Sequence, residues 1–118
     1  MPDSITIYQK PTCSTCRQTI QALKEAGVDY ESVNYYLDPI PKQKLKELLS
    51  KMKLTARDIL RNKEPIYQEL KLAEKTLSED ELIDLMVEHP DLIQRPIVER
   101  GERAILARPA ERIKEILW

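Results

Sequence analysis

Two cysteines near the start of the chain have residue types and a spacing that could support chemistry. Cys13 and Cys16 form a Cys-x-x-Cys unit, a pattern used in thiol–disulfide chemistry when it lies within a strand–helix unit. A cysteine at a helix start lies near free backbone N–H groups and the positive end of the helix dipole, and both favour the thiolate. The pair therefore predicts a redox or nucleophilic site in which Cys13 is the better placed thiol.

The flanking residues predict the elements that position these thiols. Residues 4–8 alternate apolar and polar types and are mostly β-branched or aromatic, which is typical of a half-buried strand. From Arg17 to Ala26 the apolar residues recur at helical spacing, and Gly27 is suited to ending that helix. Cys13 is therefore expected where the chain turns from a strand into a helix.

Other roles fit the two cysteines less well. A disulfide between them would close too short a loop to stabilise a fold, and a reducing cytosol would not maintain it. A structural zinc site needs four ligands, whereas the chain has one histidine, His89, and no third cysteine. We therefore expect no metal site. A pair of inert cysteines at a helix start remains the simpler alternative.

The composition excludes several classes of function. The chain has 118 residues, and we expect one domain over 1–118. Its 19 basic and 20 acidic residues leave a net charge of −1 with no long run of one sign, so nothing favours direct binding to nucleic acid or to an anionic membrane. No signal-peptide pattern is present, and no stretch approaches the roughly 18 apolar residues of a membrane span. We expect a cytoplasmic protein.

The middle of the chain predicts a helical insert at about 41–90. A second strand over 30–37 precedes it and completes a β-α-β start. Pro41 suits the first turn of a helix whose apolar residues recur at i, i+3, i+4 and i+7. Ser78, followed three residues later by Glu81, has the form of a capping box and predicts another helix start.

The end of the chain predicts a β-hairpin and a last helix. A strand follows Pro96, residues 99–102 form the turn, 103–107 form the partner strand, and Pro109 opens the helix. The order β-α-β, helical insert, β-β-α with Cys-x-x-Cys at the first turn indicates an α/β protein of the thioredoxin-like fold with a mixed four-stranded sheet. In such folds the proline that opens the third strand lies beside the reactive cysteine, and we predict that the Arg95–Pro96 bond is cis.

Several segments along the chain match one known family. The most specific are Arg-Pro-Ile-Val at 95–98 and Arg-Pro at 108–109, and further matches lie at 5–8, 11–13, 60–67, 72–74, 82–84, 88–90 and 94. In these segments the chain resembles the glutaredoxin-coupled arsenate reductases and their Spx-type relatives. The resemblance implies that Cys13 is the nucleophile and that Arg61, Arg95 and Arg108 hold the oxygens of arsenate. It also implies a thioarsenate adduct, glutathione as the thiol co-substrate, recycling by glutaredoxin and no bound cofactor.

The three arginines that the resemblance points to make chemical sense. A tetrahedral oxyanion pairs well with planar, permanently charged guanidinium forks, and their charge also favours a thiolate. They would stabilise the negative charge that develops as sulfur attacks arsenic. Each also has a purely structural explanation: Arg61 could end a short helix, Arg95 could be a solvated residue before proline, and Arg108 could pair with Glu111.

Two positions depart from the family pattern and leave alternatives open. Gln9 stands where some of the arsenate reductases have a histidine, so an imidazolium cannot help to activate Cys13. Many of the glutaredoxin-coupled reductases lack a cysteine at the position of Cys16, whereas the Spx-type regulators use Cys-x-x-Cys as a redox switch. Cys16 could therefore resolve the adduct through an internal disulfide that thioredoxin or glutaredoxin reduces. Alternatively, the chain is an Spx-type regulator that binds RNA polymerase, or a general thiol–disulfide oxidoreductase.

Overall fold

The computed structural model of the protein describes residues 4–117, which fall into two compact units. The first, the sheet unit, contains the described residues 4–38 and 95–117, and the second, the helical unit, contains 39–94. The organisation predicted from the sequence, one domain over 1–118 with an insert at about 41–90, stays a prediction.

The sheet unit contains one four-stranded sheet in the order β2-β1-β3-β4. Its strands are β1 (Ile5–Gln9), β2 (Tyr30–Asn34), β3 (Ile97–Arg100) and β4 (Arg103–Leu106). β1 runs parallel to β2 and antiparallel to β3, and β3 is antiparallel to β4. A β-α-β unit and a β-hairpin thus share one mixed sheet, and the α/β, thioredoxin-like architecture predicted from the sequence is confirmed.

Two helices of this unit contribute to its hydrophobic core. α1 (Ser14–Glu25) connects β1 to β2, and a 3-10 turn, Ala110–Ile113, leads into the short helix α5 (Lys114–Leu117). Burying one aliphatic side chain of this kind stabilises a fold by roughly 1.5–3 kcal/mol, which makes such a cluster a rigid support for the β1–α1 turn. The buried cluster consists of Ile5, Ile7, Leu23, Val98, Ala107, Ile113 and Ile116.

The N-terminal elements differ in length from their prediction because polar side chains set their ends. α1 begins at Ser14 rather than at Arg17, since Cys13 already acts as its N-cap. The strand predicted over 30–37 ends at Asn34, whose side-chain oxygen accepts the N–H of Tyr36 at 3.1 Å. That hydrogen bond folds the chain into a turn.

The C-terminal elements also differ from the prediction. β3 continues through Arg100, so the hairpin turn is shorter than the predicted 99–102 and is centred on Gly101 and Glu102. Gly101 has a φ of 60°, a left-handed conformation that glycine adopts at little cost. The first turn of the predicted last helix is a 3-10 turn rather than an α-helix.

The helical unit contains three α-helices, α2 (Lys42–Met52), α3 (Pro65–Glu69) and α4 (Glu79–Glu88). On α2 and α4 the apolar residues recur at helical spacing, and the side chains buried there are Leu45, Leu48, Leu49, Leu82, Ile83 and Met86. Lys42 pairs with Asp80 at 3.3 Å and with Asp84 at 2.9 Å across the solvent side of these two helices. Among residues 4–117 no helix has the length and apolar character needed to cross a bilayer.

Replacing Ser78 by alanine is expected to lower the free energy of unfolding by about 1 kcal/mol. Ser78 Oγ accepts the N–H of Glu81 at 3.1 Å, and the Glu81 carboxylate accepts the N–H of Ser78 at 2.9 Å, which is the predicted capping box. Urea denaturation measures the loss. Ser50→Ala, at an exposed site inside α2, is the matched control and should not reduce stability; an equal loss in both variants would contradict the capping role.

Candidate active site

Cys13 lies at the junction of the β1–α1 turn and the first turn of α1. Its N–H donates to the carbonyl of Lys10 at 3.0 Å, and its Sγ accepts the backbone N–H of Cys16 at 3.3 Å. Its backbone has φ −85° and ψ 122°, the extended conformation of an N-cap residue. The sulfur therefore takes the place of the capping oxygen at the helix N-terminus, where a negative charge is stabilised.

The pKa of the Cys13 thiol is lowered. Burial of the half-buried side chain raises its pKa, but hydrogen bonds from the side chain and backbone of Cys16 and the positive charge of Arg95 outweigh that effect. Cysteine reacts as the thiolate. A lowered pKa increases the thiolate fraction of Cys13, which favours the nucleophilic role predicted for it from its place at a helix start.

Cys16 has the opposite character. Its side chain is fully buried, and this burial together with its hydrogen bond to Cys13 raises its pKa to about 12. The two cysteines are not joined by a disulfide. A thiol that keeps its proton can donate a hydrogen bond to the neighbouring sulfur, and Cys16 thus stabilises the Cys13 thiolate.

Arg95 is a buried cation beside this thiol, with 7% of its surface exposed, so the solvated interpretation of this residue is wrong. It immediately precedes the cis Arg95–Pro96 bond, the geometry predicted from the sequence, at the entry to β3. Its Nη1 donates to the hydroxyl of Tyr36 at 3.4 Å, while its Nε has no hydrogen-bond partner among the described residues. A buried donor without a partner is unfavourable, and an anion at this position would remove that cost.

Arg108 contacts the backbone of Arg95. Its Nη1 donates to the carbonyl oxygen of Arg95 at 2.9 Å, and Arg108 as a whole is an exposed residue. The Arg108–Pro109 bond is also cis, a geometry not predicted from the sequence. Two of the three arginines selected from the sequence thus belong to the same unit as Cys13 and Cys16 and contact each other.

Arg61 belongs to the helical unit and has a carboxylate partner there. Its Nε pairs with Glu64 at 3.0 Å, and its Nη1 donates to the side-chain oxygen of Gln94 at 3.1 Å. Its backbone N–H donates to the carbonyl of Leu92 at 2.8 Å. The half-buried Arg61 therefore has interactions of its own within residues 39–94.

Gln9, the position that departs from the family pattern, is the last residue of β1. The side chain is 6% exposed, and its Nε2 donates to the Ser32 hydroxyl of the neighbouring strand at 2.8 Å. Its Oε1 has no hydrogen-bond partner among the described residues. Because an amide carries no charge near neutral pH, Gln9 adds no positive charge near the thiol.

Tyr36 is the functional candidate that sequence reasoning missed. It lies in the turn after β2, with Arg95 Cζ 6.0 Å and Lys10 Nζ 4.5 Å from its ring centroid. Asparagine favours turns, so Asn34 was a signal for this turn in the sequence. The signal was overlooked because a single strand was predicted over 30–37.

No group of three or more His, Cys, Asp or Glu side chains within residues 4–117 is arranged to hold a metal ion.

Comparison with known proteins identifies the family. A model of the ArsC family matches residues 8–116, which is most of the chain. The chain belongs to the ArsC family. This membership confirms the resemblance found in the sequence.

Individual relatives agree with this assignment. The uncharacterized protein YfgD of Escherichia coli K12 is 42% identical, and the match covers 99% of both chains. The arsenate reductase of Yersinia enterocolitica is 43% identical over 97% of this chain and 81% of the relative. The solved structure of an arsenate reductase from Vibrio cholerae has a TM-score of 0.92 at 37% identity, covering 98% of this chain and 99% of that one. Both sequence and fold are therefore close to proteins named arsenate reductases.

Proposed function

We propose that this ArsC-family protein is an arsenate reductase with Cys13 as its nucleophile. The observation that best supports the proposal is a buried guanidinium, Arg95, with an unpartnered Nε beside a thiol of lowered pKa. This combination suits an enzyme that binds an oxyanion and attacks it with sulfur. The relatives named arsenate reductases support the same substrate.

The proposed first step joins sulfur to arsenic. The Cys13 thiolate attacks the arsenic of arsenate, a sulfur–arsenic bond forms, and one arsenic–oxygen bond breaks as that oxygen leaves as water after protonation. Arsenic stays in its oxidised state in this thioarsenate adduct. The guanidinium of Arg95 stabilises the charge on the remaining oxygens because it is preorganised and partly shielded from water.

The second step reduces arsenic. A second thiolate attacks the sulfur of Cys13, a sulfur–sulfur bond forms, and the sulfur–arsenic bond breaks with its electron pair going to arsenic, which leaves as arsenite. Two thiols together supply the two electrons. We propose that glutathione supplies the second thiol and that glutaredoxin reduces the resulting mixed disulfide by exchange. We also propose that the protein acts in the cytoplasm, the location expected from its sequence.

The proposed oxyanion ligands are Arg95, Arg108 and Arg61. Arg95 and Arg108 share a unit with Cys13 and contact each other through the Arg95 carbonyl. Arg61 is assigned by family resemblance, and its pairing with Glu64 means that an anion would have to share or replace that carboxylate. The guanidinium forks suit oxygens of tetrahedral geometry.

The direct test is to incubate the protein with arsenate, glutathione, glutaredoxin and glutathione reductase with NADPH, and to quantify arsenite. We expect arsenite to accumulate in proportion to enzyme concentration. No arsenite above the level of the protein-free mixture would overturn the proposal. Replacing glutaredoxin by thioredoxin and its reductase in a parallel assay identifies the recycling system.

Cys16→Ser is expected to keep most of the activity with glutathione and glutaredoxin. Cys16 is fully buried, and its pKa is raised to about 12, so it is poorly suited to supplying the second thiolate, while serine still offers a hydrogen-bond donor to Cys13. Arsenite formation by wild type and variant measures the difference. Activity that disappears with Cys16 under both recycling systems would instead select the internal-disulfide route.

The two free thiols also support a second candidate, an Spx-type regulator that uses a Cys13–Cys16 disulfide as a redox switch. The buried Arg95 favours the reductase because a thiol switch does not require an oxyanion ligand. A pull-down with the α subunit of RNA polymerase distinguishes the two. Retention of this protein without arsenate reduction would favour the regulator.

A further inference from the structure

The turn after β2 holds Tyr36 in a defined place. Asn34 fixes this turn with three hydrogen bonds: its side chain accepts the N–H of Tyr36 at 3.1 Å, and its carbonyl accepts the N–H groups of Leu37 and Asp38 at 3.0 and 2.9 Å. The ring of Tyr35 is buried, with its centroid 5.1 Å from that of Tyr36. The backbone of Tyr36 is therefore fixed by hydrogen bonds of the turn, and its ring is supported by the ring of Tyr35.

Tyr36 contacts Arg95 through both its hydroxyl and its ring. The hydroxyl accepts from Nη1 at 3.4 Å, and Cζ lies 6.0 Å from the ring centroid, at the outer limit of a cation–π contact. Tyr35 interacts with the same guanidinium, and Nε has no hydrogen-bond partner among the described residues. The two tyrosines thus restrict the orientation of a long, flexible arginine side chain, and no carboxylate among residues 4–117 pairs with it.

We propose that Tyr36 is a positioning residue that holds the Arg95 guanidinium beside the Cys13 sulfur, so that its charge acts on the thiol and on the oxygens of a bound oxyanion. Tyr36 suits this role because a phenol orients a cation but does not cancel its charge. The inference rests on the proposed function, because the anion is the substrate of that reaction. It adds a residue to the site that the family resemblance did not select.

The test uses Tyr36→Phe, which removes the hydroxyl, and Tyr36→Leu, which removes the hydroxyl and the aromatic ring. One readout is the pH dependence of Cys13 alkylation by iodoacetamide, quantified by mass spectrometry. The titratable groups that act on Cys13 are Cys16 and Arg95, and neither is altered, so a midpoint that moves upward reports a displaced guanidinium. The second readout is arsenate reduction, in which KM should rise roughly threefold for Phe and about tenfold for Leu.

Tyr30→Phe is the matched control. Tyr30 lies in β2 and packs against the hydrophobic core of the sheet unit, so its change should leave the alkylation midpoint and KM as in wild type. If both Tyr36 variants fold, as judged by circular dichroism, and keep the wild-type midpoint and KM, the proposal is wrong. An equal shift in Tyr30→Phe would also overturn it, because the effect would then be a general loss of packing.

The alkylation readout needs no arsenate, which separates this inference from the proposed function. A shifted midpoint in the Tyr36 variants of a protein that does not reduce arsenate would support the positioning role and overturn the function. Arsenate reduction by wild type with no change in either variant would support the function and overturn the positioning role.

Discussion

Cys13→Ser is expected to reduce arsenite formation at least about a thousandfold, to the level of the protein-free mixture. A serine hydroxyl stays protonated where the Cys13 thiol, with its lowered pKa, supplies a thiolate. It also cannot form the sulfur–sulfur bond that returns electrons to arsenic. Both proposed steps therefore fail in this variant, and a residual rate would have to come from a different mechanism.

The position of Cys13 makes this substitution a clean test. Cys13 is the N-cap of α1 and its Sγ accepts the N–H of Cys16, and serine is among the best N-cap residues. The variant should therefore fold with unchanged or slightly higher stability, which thermal unfolding checks. A folded Cys13→Ser protein that still reduces arsenate at the wild-type rate would end the proposal.

The pH dependence of thiol alkylation provides an independent check on the nucleophile. Because the pKa of Cys13 is lowered and that of Cys16 is raised to about 12, one thiol should react fast with a midpoint below the ordinary cysteine range. The rate rises with pH through that midpoint because the thiolate is the reacting form. Mass spectrometry should locate the label on Cys13, and Cys13→Ser should lose the fast phase.

Local patterns in the sequence predicted much of the fold. The capping box at Ser78 and Glu81 and the strand–helix turn at Cys13 depend on residues close together in the chain, and both are present. The ends of elements were less predictable because they depend on individual hydrogen bonds. The side chain of Asn34 ends β2 and Cys13 starts α1, and no periodicity of apolar residues reports such bonds.

The candidate site was only partly predictable for a related reason. The sequence selected Arg95 and Arg108 by family resemblance but gave no sign that Arg108 donates to the Arg95 carbonyl, thirteen residues away. The contact between Tyr36 and Arg95 joins positions 59 residues apart. The first contact follows from the pairing of β3 with β4, and the second follows from the pairing of β1 with both β2 and β3. These pairings form only when the chain is folded.

Arg95→Lys is expected to lower kcat/KM for arsenate about a hundredfold, the usual cost of removing one preorganised donor from an oxyanion site. Lysine keeps a positive charge but lacks the planar fork that pairs with two oxygens. At a position only 7% exposed, burial also favours the neutral amine. The charge of Arg95 is one of the causes that lower the pKa of Cys13. That pKa should therefore rise part of the way toward its ordinary value, because the lysine is charged for only part of the time.

Comparison with Arg95→Gln separates charge from geometry. If charge alone mattered, the Lys variant would keep most of the activity and the Gln variant would lose it. If the planar fork is needed, both variants should lose most of the activity. The midpoint of Cys13 alkylation should then rise further in the Gln variant. Arg57→Lys, at an exposed position outside the family motifs, is the matched control and should be neutral. If Arg95→Gln retained the wild-type kcat/KM, Arg95 would not be part of the substrate-binding site. Within the sheet unit, substrate binding would then have to rest on the other proposed ligand, Arg108.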